Sequence, residues 1–176
     1  MIINVETDEL VHCYFKKIDR IEIIGKEYSP RGGCWVFDWL KPLTHSYDIY
    51  GIITEEFPNI VQGLIALKPN YDEAYRCVDV EIIESAPHNK KELNKKINND
   101  RNYVGVGKCL VAFACQYSID KGLEGFIALT SKTPKIPFYR DLGAISIYGQ
   151  QMMFDADVSV HLAKQYFTGG VKWWKK

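Results

Sequence analysis

The chain has 176 residues, and its 22 basic residues balance its 22 acidic residues to a formal net charge of zero at pH 7. The length suits one domain with a sizeable core, and a hydrophobic fraction of 47% argues against a disordered chain. Because a neutral chain has no bulk field that attracts polyanions, neither nucleic acid nor an anionic membrane is predicted as a partner.

The cysteines and the hydrophobic segments predict a cytoplasmic protein with reduced thiols. The five cysteines are odd in number and show no disulfide-like grouping. The first residues lack a basic region followed by an apolar run, and no apolar stretch is long enough to span a bilayer. The four histidines do not combine with cysteines or acids at metal-ligand spacing, so no metal site is predicted.

The first half of the chain is predicted to begin with a helix and continue with strands. Residues 7–17 are interpreted as a short helix, and the aromatic run at 34–40 is interpreted as a strand. Further strands are predicted at 47–54, 59–67 and 76–85, and the last of them, RCVDVEIIES, has the strongest strand pattern.

The second half is predicted to alternate helices and strands. In chain order, the predicted elements are a helix from Val106 to Lys121, a strand at 125–130, a helix from Thr133 to Gly143, strands at 144–148 and 151–154, and a helix at 158–167. This order favours an α/β (α+β) class, with one domain over residues 1–176 and a mixed, mostly antiparallel sheet flanked by helices.

Two polar segments lie outside these elements. Residues 88–102 are predicted to form a mobile basic loop with a nascent helix near 91–97. This loop is either a solvated surface segment or a cover over an anionic ligand. The short C-terminal tail at 168–176 is basic and aromatic, and it includes Trp173 and Trp174.

Two glycines mark the start of the longest predicted helix, in the stretch RNYVGVGKCL. A Walker loop is excluded because Cys109 stands where Ser or Thr is required, and a dinucleotide fingerprint lacks its third glycine at Leu110. Glycines remove the Cβ atoms that would hold an anion away, and the amides of a helix N-terminus bind phosphate. The turn is therefore either a phosphate cradle formed by the amides of residues 104–108 or a plain helix start.

A second motif, FYRDLGA at residues 138–144, lies on the next predicted helix. Together with Gly105-x-Gly107 it resembles the two hallmark motifs of the GNAT (GCN5-related) acetyltransferases. The first motif departs from the family pattern at Asn102, where the family has Gln or Arg. Other segments are similar to a small bacterial branch of undefined substrate: WVFDW, VQGLI, IESAPHN, YVGVG and LVAFAC.

The resemblance implies the GNAT fold and acetyl-CoA as cosubstrate, with no metal. It implies that the backbone of Ser85 and Ala86 binds the acetyl group and the pantetheine arm. It also implies contacts to the pantetheine arm or a phosphate from Lys132, which stands where the superfamily often has Asn. The residues that would hold the pyrophosphate are those of the glycine turn: Asn102, Val104, Gly105, Val106, Gly107 and Lys108.

Tyr139 matches the family tyrosine near the CoA sulfur and is the candidate general acid, since a phenol stays protonated at neutral pH. The candidate bases are acids of the preceding strand, or a water molecule. Glu84 ranks first because it lies inside IESAPHN, and Glu81 ranks second, ahead of Asp79. A partly buried carboxylate can serve as a base near neutrality.

The predicted function is transfer of an acetyl group from acetyl-CoA to an amine by direct attack. The acceptor, a small molecule or a protein, is unidentified, and a homodimer is compatible with the family. The alternative function is a catalytically weak or inactive GNAT-fold module that binds acyl-CoA or a partner.

Overall fold

The structure, a computed structural model, describes residues 1–32, 34–93 and 96–175. Asn94 and Lys95 of the predicted basic loop, and Lys176 of the predicted tail, lie outside the described residues. The helices are α1 (Arg20–Gly25), α2 (Leu40–Thr44), α3 (Val106–Asp120), α4 (Ile136–Asp141) and α5 (Ala156–Tyr166). The strands are β1 (Ile2–Asn4), β2 (Leu10–Val11), β3 (Cys13–Ile18), β4 (Asp48–Thr54), β5 (Gly63–Asn70), β6 (Cys77–Ser85), β7 (Glu92–Leu93), β8 (Lys96–Ile97), β9 (Tyr103–Val104), β10 (Ile127–Thr130), β11 (Ile145–Tyr148) and β12 (Gln151–Phe154).

A mixed sheet of seven strands runs in the order β11-β12-β10-β6-β5-β4-β3. β10 lies parallel to β6, whereas β3 and β4, β10 and β12, and β11 and β12 pair antiparallel. A smaller antiparallel sheet has the order β2-β1-β9. The predicted fold class, a mixed sheet with helices in one α/β chain, is confirmed.

The chain forms two compact units, and β5, β6 and α3 contribute residues to both. The first unit contains Met1–Ala66, Ile82–Leu110 and Lys172–Lys176. Its core is built from aromatic and aliphatic side chains, among which the rings of Trp35 and Trp39 meet edge to face with centroids 6.0 Å apart. The last part of the C-terminal tail, from Lys172 onward, belongs to this unit, and the backbone amide of Trp174 donates to the carbonyl of Phe15.

The second unit contains Leu67–Glu81 and Val111–Val171. Buried side chains of α3, β10 and β12, such as Phe113, Leu129 and Phe154, form its core. α5 passes close to Gly143, where an added Cβ would lie only 2.7 Å from a methyl group of Val158. Gly143 has φ +97° and ends α4, as the sequence predicts.

Several predicted elements are confirmed with boundaries shifted by one or two residues. They are the strands β4, β6, β10, β11 and β12 and the helices α3 and α5. At the end of α3, Gly122 has φ +71° and its amide donates to the carbonyl of Ile119, which is the C-terminal glycine arrangement predicted there.

Two predicted elements of the first unit are wrong. The segment 7–17 is not a helix, because Cys13 and Phe15 are buried while Tyr14 and Lys16 alternate with them, as in a strand. The segment 34–40 is not a strand. Its backbone amides donate to a carboxylate from β6, and it leads into α2.

Smaller corrections concern three further predicted segments. The strand predicted at 59–67 begins later and continues through Pro69 as β5. Where a helix is predicted near 91–97, the described residues contain the short strands β7 and β8, which pair antiparallel. The helix predicted from Thr133 begins later, since a 3₁₀ turn at Thr133–Lys135 precedes α4 and Thr133 Oγ1 accepts a hydrogen bond from Gln150.

Candidate functional site

The glycine turn joins β9 to α3 inside the first unit. β9 is held by antiparallel pairing with β1. The Gly105 carbonyl accepts the amide of Cys109 at 2.9 Å, so Gly105 is the N-cap residue of α3. Gly105 has φ +85°, a conformation that residues with a Cβ rarely adopt. A Cβ at this position would meet no atom within 4 Å, so the turn opens onto free space.

The electrostatics of this turn suit an anion. The first amides of α3, from Val106 to Lys108, have no carbonyl of a preceding helical turn to bond, and the helix dipole is positive at this end. No acidic residue lies in the first turn of α3. The side chain of Lys108 is exposed there, and so is that of Asn102, the residue in the position of the motif's Gln or Arg.

Glu84 on β6 is buried, with its side chain only 4% exposed. One carboxylate oxygen accepts the backbone amide of Val36 at 2.6 Å and pairs with the ammonium of Lys90. The other accepts the amide of Phe37 at 3.3 Å and the indole N–H of Trp39 at 3.2 Å. Both oxygens are therefore engaged by the protein, and this carboxylate fastens the segment before α2 to the end of β6.

The donors around the Glu84 carboxylate concern the prediction that Glu84 is the catalytic base. Glu84 as the base stays a prediction, but its contacts are those of a structural anchor. An oxygen that already receives two donors has little capacity left for an amine.

A second buried network links the end of β6 to the strand that enters the turn. The carbonyl of Gln62 accepts the amide of Ala86 at 2.9 Å and the side-chain amide of Asn89 at 3.1 Å. Asn89 Oδ1 accepts the backbone amide of Tyr103 at 2.9 Å. Gln62 Oε1 lies 2.9 Å from both Asn89 Nδ2 and His88 Nε2. Asn89, in the 3₁₀ turn that follows β6, thus connects Gln62 to Tyr103 of β9, two residues ahead of Gly105.

Ser85 and Ala86, whose backbones are predicted to bind the acyl arm, lie at and just after the end of β6. Ser85 is half-buried and Ala86 is fully buried. The amide of Ala86 donates to Gln62 and its carbonyl accepts the amide of Asn89 at 2.8 Å. That amide is accordingly not available to a ligand, whereas the role predicted for Ser85 stays open.

The remaining predicted site residues belong to the second unit. Glu81 and Lys132 are exposed. Tyr139 is half-buried on α4, its ring meets Phe138 edge to face at 5.0 Å, and burial raises the pKa of its hydroxyl to about 12. The phenol therefore stays protonated at all physiological pH values.

The network of Gln62, His88 and Asn89 was not predicted from the sequence. Gln62 is fully buried and Asn89 is 6% exposed, which is unusual for amide side chains. The pattern Pro-His-Asn directly after the strongest strand was the available signal, since polar residues at a strand end often converge on a site.

No cluster of three or more His, Cys, Asp or Glu side chains with the geometry of a metal site occurs among the described residues. None of the helices in the described part of the chain combines the length and the apolar character that crossing a membrane requires.

No family model and no curated protein matches the sequence. Among solved structures, the chain is similar to a Tyr-to-Phe mutant of the AtaT toxin bound to the C-terminus of the antitoxin AtaR and acetyl-CoA, with a TM-score of 0.57 and 13% identity over 85% of this chain and 97% of that one. It is also similar to a Tyr-to-Phe mutant of KacT, with a TM-score of 0.51 and 11% identity over 85% of this chain and 98% of that one. These likenesses show the fold: the chain has the fold of the GNAT acetyltransferases.

Proposed function

We propose that this chain is an acetyl-CoA-dependent N-acetyltransferase that transfers the acetyl group directly to an amine. The observation that carries the proposal is the turn at Gly105, which is open to solvent space and stands at the amino end of the long helix α3. A helix start of this kind suits the pyrophosphate of CoA, because it offers unpaired amides and a positive dipole. The fold supports the proposal, since AtaT was solved with acetyl-CoA.

The proposed pyrophosphate contacts are the amides of Val104 to Lys108, with the side chain of Asn102 at the edge of the turn. Ser85 is proposed to hold the acyl arm by its backbone, as the sequence resemblance implies. Lys132 is proposed to approach the pantetheine arm or a phosphate. The residues that contribute side chains to these contacts are few, so the turn itself supplies most of the recognition.

In the proposed reaction the amine attacks the thioester carbon and the CoA sulfur leaves. Tyr139 is the proposed proton donor to that sulfur, because partial burial raises the pKa of its phenol to about 12 and the phenol carries its proton at neutral pH. Glu84, Glu81 or a water molecule remain the predicted bases. A protein acceptor is compatible with AtaT having been solved with a protein partner, and a homodimer stays a prediction.

One observation favours a second candidate function, a module that binds acyl-CoA without turnover. The first-ranked base, Glu84, is fully engaged by donors of its own unit. Release of free CoA, followed by a thiol reagent against a panel of peptide, amino-acid and polyamine acceptors, separates the two candidates. An enzyme releases CoA faster with at least one amine than without it, and a module does not.

Replacing Gly105 with alanine is expected to weaken acetyl-CoA binding about tenfold, a loss of roughly 1.4 kcal/mol. The new methyl group would project into the open space where the pyrophosphate is proposed to lie. The positive φ would add about 1–2 kcal/mol of strain to the folded state. Calorimetric titration with acetyl-CoA measures the first effect, and urea unfolding measures the second.

The matched control is Gly122→Ala, at the other end of the same helix. Gly122 also has a positive φ, and it also has nothing within 4 Å of an added Cβ. It should lose similar stability and keep the wild-type affinity. Equal affinity of the two variants would show that the turn at Gly105 does not hold the ligand.

A further inference from the structure

The orientation of the Asn89 side chain is set by two backbone groups. Its Oδ1 faces the amide N–H of Tyr103, which only an acceptor satisfies, and its Nδ2 faces the carbonyl of Gln62, which only a donor satisfies. The same Nδ2 also reaches the side chain of Gln62 at 2.9 Å, so the Gln62 atom at that position is the oxygen. The other amide atom of Gln62, Nε2, donates to the carbonyl of Ile60 at 3.1 Å, which agrees with this assignment.

This chain of hydrogen bonds determines the tautomer of His88. Gln62 Oε1 lies 2.9 Å from His88 Nε2, and an amide oxygen is only an acceptor. The Nε2 atom therefore carries the proton, and Nδ1 carries the free lone pair. Within the described residues, His88 Nδ1 has no hydrogen-bond partner. A neutral imidazole with a fixed Nε2–H and a bare Nδ1 is the form of histidine that accepts a proton.

The surroundings of His88 keep the ring neutral. Half-burial lowers the pKa of its imidazole below the ordinary value of 6.5. Among the described residues, the side chains that hydrogen-bond His88 are uncharged, namely Gln62 at the ring and Asn98, whose Nδ2 donates to the His88 carbonyl. The charged groups on either side in the chain, Glu84 and Lys90, are paired with each other.

His88 is also fastened to the strand that enters the glycine turn. It stands in a 3₁₀ turn, Pro87–Asn89, directly after β6, and its neighbour Asn89 bonds the backbone of Tyr103 in β9. Tyr103 lies two residues before Gly105, and Ser85, whose backbone is proposed to hold the acyl arm, lies three residues before His88. His88 therefore lies in the segment between the two parts of the proposed acetyl-CoA site.

We propose that His88 is the proton acceptor of the acyl transfer, acting through Nδ1 and oriented by Gln62 and Asn89. This proposal rests on the function proposed above. The amine lone pair forms the N–C bond, the C–S bond breaks with its electron pair on sulfur, and one proton from the nitrogen goes to His88 Nδ1. The sulfur takes one proton from its donor, Tyr139 in the function proposed above, so the products are the amide and free CoA. The starting enzyme is restored when His88 gives its proton to water and the donor takes one proton back from water.

The first test is modification of the native protein with diethyl pyrocarbonate, which attacks unprotonated imidazoles, with peptide mapping by mass spectrometry. His12, His45 and His161 are exposed and serve as internal controls. We expect the modification rate of His88 to rise with pH with a midpoint below 6.5, and acetyl-CoA to slow the modification of His88 alone. Modification of His88 that is as fast with saturating acetyl-CoA as without it would overturn the proposal.

The second test is slow hydrolysis of acetyl-CoA, in which water replaces the amine. We expect His88→Gln to lower this rate about 10²-fold, the usual contribution of a general base, while His45→Gln keeps it. In the Gln62→Glu variant a carboxylate faces the Nε2–H of His88 and favours the charged imidazolium, which raises the pKa of His88. The acidic limb of the pH–rate profile should therefore move to higher pH by about one unit. A wild-type rate no faster than the spontaneous reaction, or an unmoved acidic limb in a folded Gln62→Glu protein, would contradict the proposal.

The two tests keep failure of the base apart from failure of the proposed function. Calorimetric binding of acetyl-CoA without protection of His88 would leave the acetyl-CoA site standing and remove His88 as the base. Absence of acetyl-CoA binding would remove the proposed function first. The modification experiment uses the wild-type protein, so its result does not depend on the folding of any variant.

Discussion

Replacing Glu84 with alanine is expected to lower the free energy of unfolding by about 3–5 kcal/mol, the usual loss when one partner of a buried ion pair is removed. The change would leave Lys90 without its partner and the amides of Val36 and Phe37 without an acceptor. It would also leave the indole N–H of Trp39, which is fully buried, unbonded. Urea unfolding followed by tryptophan fluorescence measures the loss.

The matched control is Asp48→Asn, which removes the exposed ion pair with Lys17. The side chains of that pair are 62% and 39% exposed, so the loss should stay below about 1 kcal/mol. Glu84→Gln keeps the shape and one acceptor, and it should fall between the two. A Glu84→Gln protein with wild-type stability and no acetyl transfer would instead assign Glu84 as the base, and it would contradict the anchor role.

Replacing Tyr139 with phenylalanine is expected to lower the rate of acetyl transfer by about 10²–10⁴-fold, the range found for removal of a general acid. Acetyl-CoA affinity should stay within a factor of about two, because the hydroxyl is proposed to act on the sulfur only as it leaves in the transition state, and not on the intact thioester of the ground state. Rates of CoA release at saturating acetyl-CoA, beside calorimetric titration, measure the two quantities.

The raised pKa of Tyr139 also makes the stability of the folded protein depend on pH. Its pKa is about 12 in the folded protein and about 10 in an unfolded chain, so above pH 10 the unfolded state releases a proton that the folded state keeps. Stability should therefore fall as the pH rises above 10, and less steeply in the phenylalanine variant. Tyr148→Phe, at a hydroxyl on an 82% exposed residue, is the control for both measurements. A rate loss in that variant equal to the Tyr139 loss would contradict the assignment.

The parts of the fold that follow from short-range patterns could be predicted. The start of α3 at the glycine turn, its end at Gly122 and the end of α4 at Gly143 depend on backbone conformations that glycine favours, and each lies within a few residues of its cause. The strand in the segment 7–17 could not be predicted, because its apolar residues match both the 3.6-residue period of a helix and the two-residue period of a strand. Pairing with β4, which lies far away in the sequence, decides for the strand.

The contacts of the candidate site depend on residues far apart in the sequence. The amides of Val36 and Phe37 bond Glu84, more than 40 positions away, and this contact explains why an aromatic strand-like run is not a strand. Gln62 and His88 meet across 26 positions. A single sequence shows neither pair. The candidate bases predicted from the sequence were therefore acids of the strand before the turn, Glu84 and Glu81, and His88 was not among them.

Calorimetric titration of the wild-type protein with acetyl-CoA tests the central claim most directly, with CoA lacking the 3′-phosphate and NADH as comparison ligands. We expect micromolar binding of acetyl-CoA and no binding of NADH, because the turn at Gly105 is proposed to hold a CoA pyrophosphate and lacks the third glycine of a dinucleotide site. Absence of acetyl-CoA binding, or binding of NADH with equal affinity, would contradict the account and leave the two glycines as a plain helix start.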